Sequence, residues 1–111
     1  MTKYQVEKTE DTIKIKLYSY GGDYKTIDSL VSKEDLVNRN VELDITNVDI
    51  GSFILNTISS LIFYNTANRL NIRIVDDSKT DRLDNLDSYL EKSRIKKHAN
   101  FFYPRELIKE K

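Results

Sequence analysis

The chain contains no cysteine. That absence removes disulfides, thiolate metal sites and cysteine nucleophiles together, and it is compatible with a reducing compartment. Proline occurs once and glycine three times in 111 residues. No Pro/Gly-rich linker therefore divides the chain, which is read as one domain over 1–111 with a charged tail over 104–111. An excess of one charge is missing too, since 18 basic residues stand against 18 acidic ones. No global field draws such a chain towards nucleic acid or an anionic membrane. Long apolar runs are also absent: Phe53–Tyr64 is the most apolar window, but Asn56, Thr57, Ser59 and Ser60 interrupt it. A bilayer needs about 20 mostly apolar residues, so this window is read as a core helix. Met1–Thr12 is charged in both signs and lacks a signal-peptide core, and the expectation is a cytoplasmic chain that is not exported.

What is present is a strong alternation of strand and helix patterns. Thr12–Tyr20 places Ile13, Ile15 and Leu17 on one side and Lys14, Lys16, Tyr18 and Tyr20 on the other, the period-2 pattern of a strand with one wet face. Lys3–Lys8 is expected to add an edge strand, with Glu10 and Asp11 at the turn. Gly21 and Gly22 break the pattern, and Tyr24–Asn38 follows at helical spacing as two short helices, with Ser32 and Asp35 as a capping pair. Val41, Leu43 and Ile45 alternate with Glu42, Asp44 and Thr46 in a second one-sided strand. Strands with a single apolar face imply helices mainly on one side of the sheet, unlike a doubly wound fold.

The centre of the chain is Val41–Asp76, which reads as strand, tight connection, long helix and strand. Such a unit joins two parallel strands and puts a helix start at the strand end, over Asn47–Phe53. Ser52 is placed as the N-cap. Ile54, Ile58, Leu61, Ile62 and Ala67 form the apolar stripe, widened by Phe53, Leu55, Phe63 and Leu70, so this helix is expected to be the most buried. Asn71–Asp76 supplies the next strand. Ser78 and Asp81 then introduce an amphipathic helix through Leu83, Leu86, Tyr89 and Leu90, ending in the basic cluster Arg94–Lys97. Ala99–Tyr103 is read as a last short strand that buries its aromatics, stopped by Pro104.

The run Asp44–Val48, the segment Ile50–Phe53 at the helix start and the strand Asn71–Asp76 resemble the STAS fold of sulfate-transporter and anti-sigma-factor-antagonist domains, closest to STAS-like domains of unknown function. The resemblance spans residues 12–103 by element order and has a motif only over Asp44–Phe53. It implies an α/β, STAS-like fold with a mixed four- to five-stranded sheet. It also implies a non-enzymatic regulatory module that binds a histidine-kinase-like ATPase or an anti-sigma factor. By the same resemblance Asn47, Asp49, Gly51, Ser52 and Phe53 are the partner-binding residues, and Ser52 is the candidate phosphorylation site. The Ser-Ser-Gly core of the antagonists is missing here; Gly51, Ser52 and Phe53 stand in its place. A phosphate on Ser52 would sit at a helix N-terminus, where the macrodipole and free amides favour it.

Two other readings compete. Asp44, Asp49, Asp76 and Asp77 could gather at strand ends as a Mg²⁺-dependent phosphotransfer site, although the acidic pair follows the wrong strand for a receiver-like centre. Alternatively the fold serves a small inhibitor or accessory protein, of the kind a phage encodes, that blocks another macromolecule. His98, the only histidine, has no carboxylate or hydroxyl at triad spacing. Lys92, Arg94, Lys96 and Lys97 lie near Phe101, Phe102 and Tyr103, a combination that can bind single strands but also describes a helix end followed by a core strand. Tyr18, Tyr20 and Tyr24 are expected on the open sheet face, as an interface or as cover for it. The sequence thus assigns no catalytic residue, metal or cofactor, no nucleic-acid or membrane partner, and a monomer or weak dimer.

Overall fold

The computed structural model describes residues 3–18, 27–37, 39–64, 69–78 and 82–104. Its elements are β1 (Tyr4–Lys8), β2 (Thr12–Tyr18), α1 (Ile27–Leu30), α2 (Lys33–Leu36), β3 (Asn40–Asn47), α3 (Ser52–Tyr64), β4 (Asn71–Val75), α4 (Arg82–Lys92), a 3-10 turn (Lys96–His98) and β5 (Asn100–Phe102). The five strands lie in chain order, β1-β2-β3-β4-β5. β1 is antiparallel to β2, and every later pair is parallel.

The edge hairpin forms as expected. Thr9 closes it: its amide donates to the carbonyl of Thr12 at 2.8 Å, and the Thr12 amide donates to Thr9 Oγ1 at 3.2 Å. α1 and α2 are the two short helices. Ser32 and Asp35 form the anticipated capping box, with the Asp35 amide 3.2 Å from Ser32 Oγ and the Ser32 amide 2.9 Å from Asp35 Oδ2. Asp35 also holds Lys8 Nζ at 2.8 Å, which ties α2 to the end of β1.

Strand order explains the one-sided architecture. A parallel crossover is almost always right-handed, and right-handed crossovers that all step in the same direction must leave every helix on the same face. Ile13, Ile15 and Leu17 on β2, Val41, Leu43 and Ile45 on β3, and Ile72 and Ile74 on β4 are buried together with Ile54, Ile58, Leu61, Leu83, Leu86 and Leu90 of the helices. They belong to one apolar cluster. The opposite face carries Lys14 and Lys16 on β2, Glu42 and Asp44 on β3, and Arg73 on β4. In register, Glu7 meets Lys14, Lys14 meets Glu42, Lys16 meets Asp44, and Glu42 meets Arg73. Opposite charges in each of these cross-strand pairs keep the uncovered face neutral and wet.

Three expectations are corrected. α3 is the most buried helix, as expected, with Ile54, Thr57, Ile58 and Leu61 facing inward and Phe53, Leu55 and Ile62 partly buried against the core, but Phe63 does not extend the stripe and is 64% exposed. Thr57 tolerates burial because its hydroxyl donates to the Phe53 carbonyl at 2.9 Å. Secondly, β5 does not bury all its aromatics. Phe101 pairs with Ile72 towards the core, so Phe102 must point the other way, beside Arg73. Thirdly, the basic cluster does not prolong α4. The amide of Ile95 donates to the Leu90 carbonyl at 3.1 Å and that of Arg94 to Glu91 at 3.0 Å, while Arg94 adopts φ 64°. This is a Schellman ending with arginine where glycine is usual. The expectations for Tyr20, Tyr24, Ala67, Lys79–Asp81 and the 105–111 tail fall outside the described residues. Among those described, no helix is long and apolar enough to cross a membrane.

Candidate functional site

The carboxyl end of β3 is built around an arginine absent from the sequence-derived site. Arg82 is in the first turn of α4, where the helix dipole disfavours a cation, so it requires local partners. It has them. Nη1 contacts Asp76 Oδ1 at 3.4 Å and the Thr46 carbonyl at 3.4 Å; Nη2 donates to the carbonyls of Ile45, at 3.2 Å, and Val48. One guanidinium thus gathers the carbonyls of Ile45 and Thr46 at the end of β3 and of Val48 in the loop beyond it. Asp76 is almost wholly buried; its Oδ1 also accepts from the Ser78 amide at 3.0 Å, while Oδ2 has no partner among the described residues. Thr46 Oγ1 accepts from the Asp77 amide at 2.9 Å, a second tie between the ends of β3 and β4.

On this base the loop turns, with the Val48 amide 3.2 Å from the Ile45 carbonyl and the Val48 side chain buried. Leu55 donates to the Gly51 carbonyl at 3.2 Å. Gly51 is therefore the capping position and Ser52 the first helical residue, so the helix starts one place earlier than the sequence reading puts it. The Ser52 hydroxyl is exposed and caps nothing among the described residues. Asp49, Gly51, Ser52 and Phe53 line a shallow cavity of about 270 Å³ together with Val48 and Lys3. Asn47, at the end of β3 opposite Tyr18, does not line it.

Lys3 is the second residue that sequence reasoning missed. It comes from the chain just before β1, and its Nζ lies 5.6 Å from the centre of the Phe53 ring. Tyr4 secures that approach: its ring is 5.4 Å from Phe53 and its hydroxyl 3.3 Å from Thr57 Oγ1. A signal for Arg82 was available in the sequence, namely a lone cation opening a helix six residues after a strand-end aspartate. None existed for Lys3, whose neighbours are about fifty positions away.

The carboxylates considered for Mg²⁺ are spread over different tasks. Asp44 Oδ1 accepts from the Thr46 amide at 2.9 Å, Asp76 faces Arg82, and Asp49 and Asp77 are exposed. No three metal-ligating side chains gather among the described residues. The parallel strands run in one order without reversal, so they form no switch-point crevice of the kind where open α/β sheets hold small ligands. The basic cluster and its aromatics also separate. Lys96 pairs with Asp87 at 2.9 Å, which raises its pKa; Tyr103 donates to Asp87 at 2.7 Å; Phe102 belongs to the uncovered face. His98 is exposed, with its ring 6.4 Å from that of Phe63.

Compared with protein-family models, with curated proteins and with solved structures, the chain finds no match.

Proposed function

We propose that the chain is a non-enzymatic, STAS-like regulatory module of the cytoplasm that docks a partner protein through the loop and helix start at 47–53. The observation that carries this reading is the contrast within the loop. Its base is fixed by Arg82 on the carbonyls of Ile45, Thr46 and Val48, while Asp49 and Ser52 stand exposed beside Phe53 and Lys3. A rigid base under an exposed tip lowers the ordering cost of association, which is what a recognition loop needs. The element order and the single covered face also agree with the STAS-like resemblance.

Under this reading the partner is a histidine-kinase-like ATPase or an anti-sigma factor, and the chain is a monomer or weak dimer. Phosphorylation of Ser52 would add a dianion in the first turn of α3, near Lys3 Nζ, where helix amides and the lysine both favour it. The test is affinity capture from native cells with the wild-type chain, Ser52→Asp and Asp49→Arg side by side, read by mass spectrometry. Retention of an ATPase-type kinase or sigma regulator by the wild type, with loss in both variants, is expected. A single unrelated partner held equally by all three forms would instead favour an inhibitor or accessory protein and retire this loop as the docking site.

A further inference from the structure

The uncovered face carries a second constellation, at the amino ends of the strands and thus away from the 47–53 loop. Asn71 on β4 pairs with Asn100 on β5, and Asn40 on β3 precedes Val41, the partner of the residue after Asn71. The three carboxamides are chained. Asn100 Nδ2 donates to Asn71 Oδ1 at 2.9 Å, Asn71 Nδ2 donates to Asn40 Oδ1 at 3.3 Å, and Arg69 Nε donates to Asn100 Oδ1 at 2.8 Å. Arg69 is itself anchored on the carbonyls of Lys97, at 2.8 Å, and Ala99, at 3.3 Å.

A guanidinium can only donate, so Arg69 dictates the direction of the whole row. The oxygen of Asn100 must accept, its NH₂ must donate onward, and the run must end with the NH₂ of Asn40 presented outward. Amide orientation, normally ambiguous, is fixed here by chemistry. Each amide inside the row still has one N–H and one lone pair to spare.

One pleat along, Glu42, Arg73 and Phe102 form a second row in register. Asn40 and Asn71 of the first row and all three residues of the second border a groove of about 460 Å³ whose lining also includes Thr12. That volume lies within the range of roughly 300–1,000 Å³ typical of small-molecule sites. Phe102 is 53% exposed at its edge, an aromatic ring left uncovered on a mostly polar face. Glu42 and Arg73 make no ion pair or hydrogen bond among the described residues, so both are available to a ligand.

The lining selects among ligand chemistries. A phosphate would meet Glu42 and no net positive charge; an apolar compound would strand the oriented amides and the charged pair. What fits is a neutral molecule whose polar groups each donate and accept, with a C–H face to lay on a ring. Those are the properties of a sugar. We propose that this groove binds a neutral saccharide, with its ring face against Phe102 and its hydroxyls on Asn40, Asn71, Glu42 and Arg73. This goes beyond the docking loop and uses none of its residues.

The test is a glycan array carrying neutral gluco-, manno-, galacto- and N-acetylglucosamine oligomers beside sialylated and sulfated glycans, probed with the full chain. Retained glycans are then titrated against ¹⁵N-labelled protein. The expected result is retention of neutral glycans, with saturating shifts of the Asn40 and Asn71 side-chain amides. Phe102→Ala and Asn40→Ala, both at exposed positions, should each weaken binding at least about tenfold, or 1.4 kcal/mol, with the backbone ¹⁵N spectrum still that of the folded chain. Retention of no neutral glycan, retention of acidic glycans alone, or undiminished binding by Phe102→Ala would overturn the proposal. So would shifts of the same amides by adenosine or guanosine but by no glycan, which would assign the groove to a nucleobase.

Discussion

The two ends of the parallel strands are fastened by opposite means. At the carboxyl end a half-buried arginine, Arg82, paired with the buried Asp76, plugs the exit of β3 with a cation and draws three carbonyls onto it. At the amino end an exposed chain of neutral amides runs from Arg69 through Asn100 and Asn71 to Asn40. Burial decides the difference. Inside, an ion stripped of its counter-charge is costly, so the fastening is strong and brittle. Outside, water can replace any lost bond, so the amides align the strands at little risk and keep hydrogen-bonding capacity for a ligand.

The sharpest way to break the comparison is Arg82→Met, which leaves Asp76 buried without its cation and takes the guanidinium from three carbonyls. Urea denaturation should record a loss of about 3–5 kcal/mol. Adding Asp76→Leu should recover part of it, and the remainder measures the carbonyl plug. A single variant within about 0.5 kcal/mol of wild type would mean that the carboxyl end is not held this way. Asn71→Ala cuts the amide row in the middle, yet its exposure limits the expected loss to about 0.5–1.5 kcal/mol by the same measurement. A cost as large as that of Arg82→Met would erase the distinction between the two ends.

Arg94→Gly acts where α4 returns to the amino end and should stabilise by about 1 kcal/mol, because glycine relieves the left-handed conformation that arginine is made to adopt. A lower thermal midpoint would show that the arginine side chain contributes more than its backbone costs. At the carboxyl end, Gly51→Ser supplies the missing cap to α3; a Cβ there meets nothing within 4 Å. A gain of a few tenths of a kcal/mol is expected. If partner capture falls while stability rises, the glycine serves docking.

The smallest effect is one of slope. Lys8, then the Ser32 amide, hold the Asp35 carboxyl below its usual range. A depressed folded-state pKa contributes stability that is present above the unfolded value, about 3.9, and fades as pH drops through the folded one. Asp35→Asn should therefore flatten the acid limb of the midpoint-versus-pH curve below about pH 4 and cost least at the bottom of it. An unchanged limb would deny Asp35 that role.

Much of this frame was legible in the sequence because it is local. The alternation of Ile13, Ile15 and Leu17, that of Val41, Leu43 and Ile45, and the Ser32 and Asp35 pair each declare themselves within a few residues. A one-sided sheet followed from them. Four of the five residues singled out over 47–53 do share a cavity. What escaped depends on register or distance. Asn40, Asn71 and Asn100 look like unremarkable strand starts until two parallel pairings line them up. Arg82 reads as the first polar residue of an amphipathic helix until the carbonyls of β3 are placed around it. Phe102 was assigned to the core because an aromatic in a strand usually is, whereas pairing with Arg73 puts it outside.

The order in which strands enter the sheet has a consequence for how the molecule can be made. Thr12 finds Asn40, Val41 finds Ile72 and Asn71 finds Asn100, each pairing closing a loop of about 30 residues onto the strand made just before. No strand waits for a later one to fill a gap beside it. The sheet can grow outward from its N-terminal hairpin as the chain leaves the ribosome, with each helix sealing the strand beneath it. A chain interrupted after β4 would end in an exposed margin, not a hole, and in the finished molecule the short β5 leaves only a brief margin open to further strands.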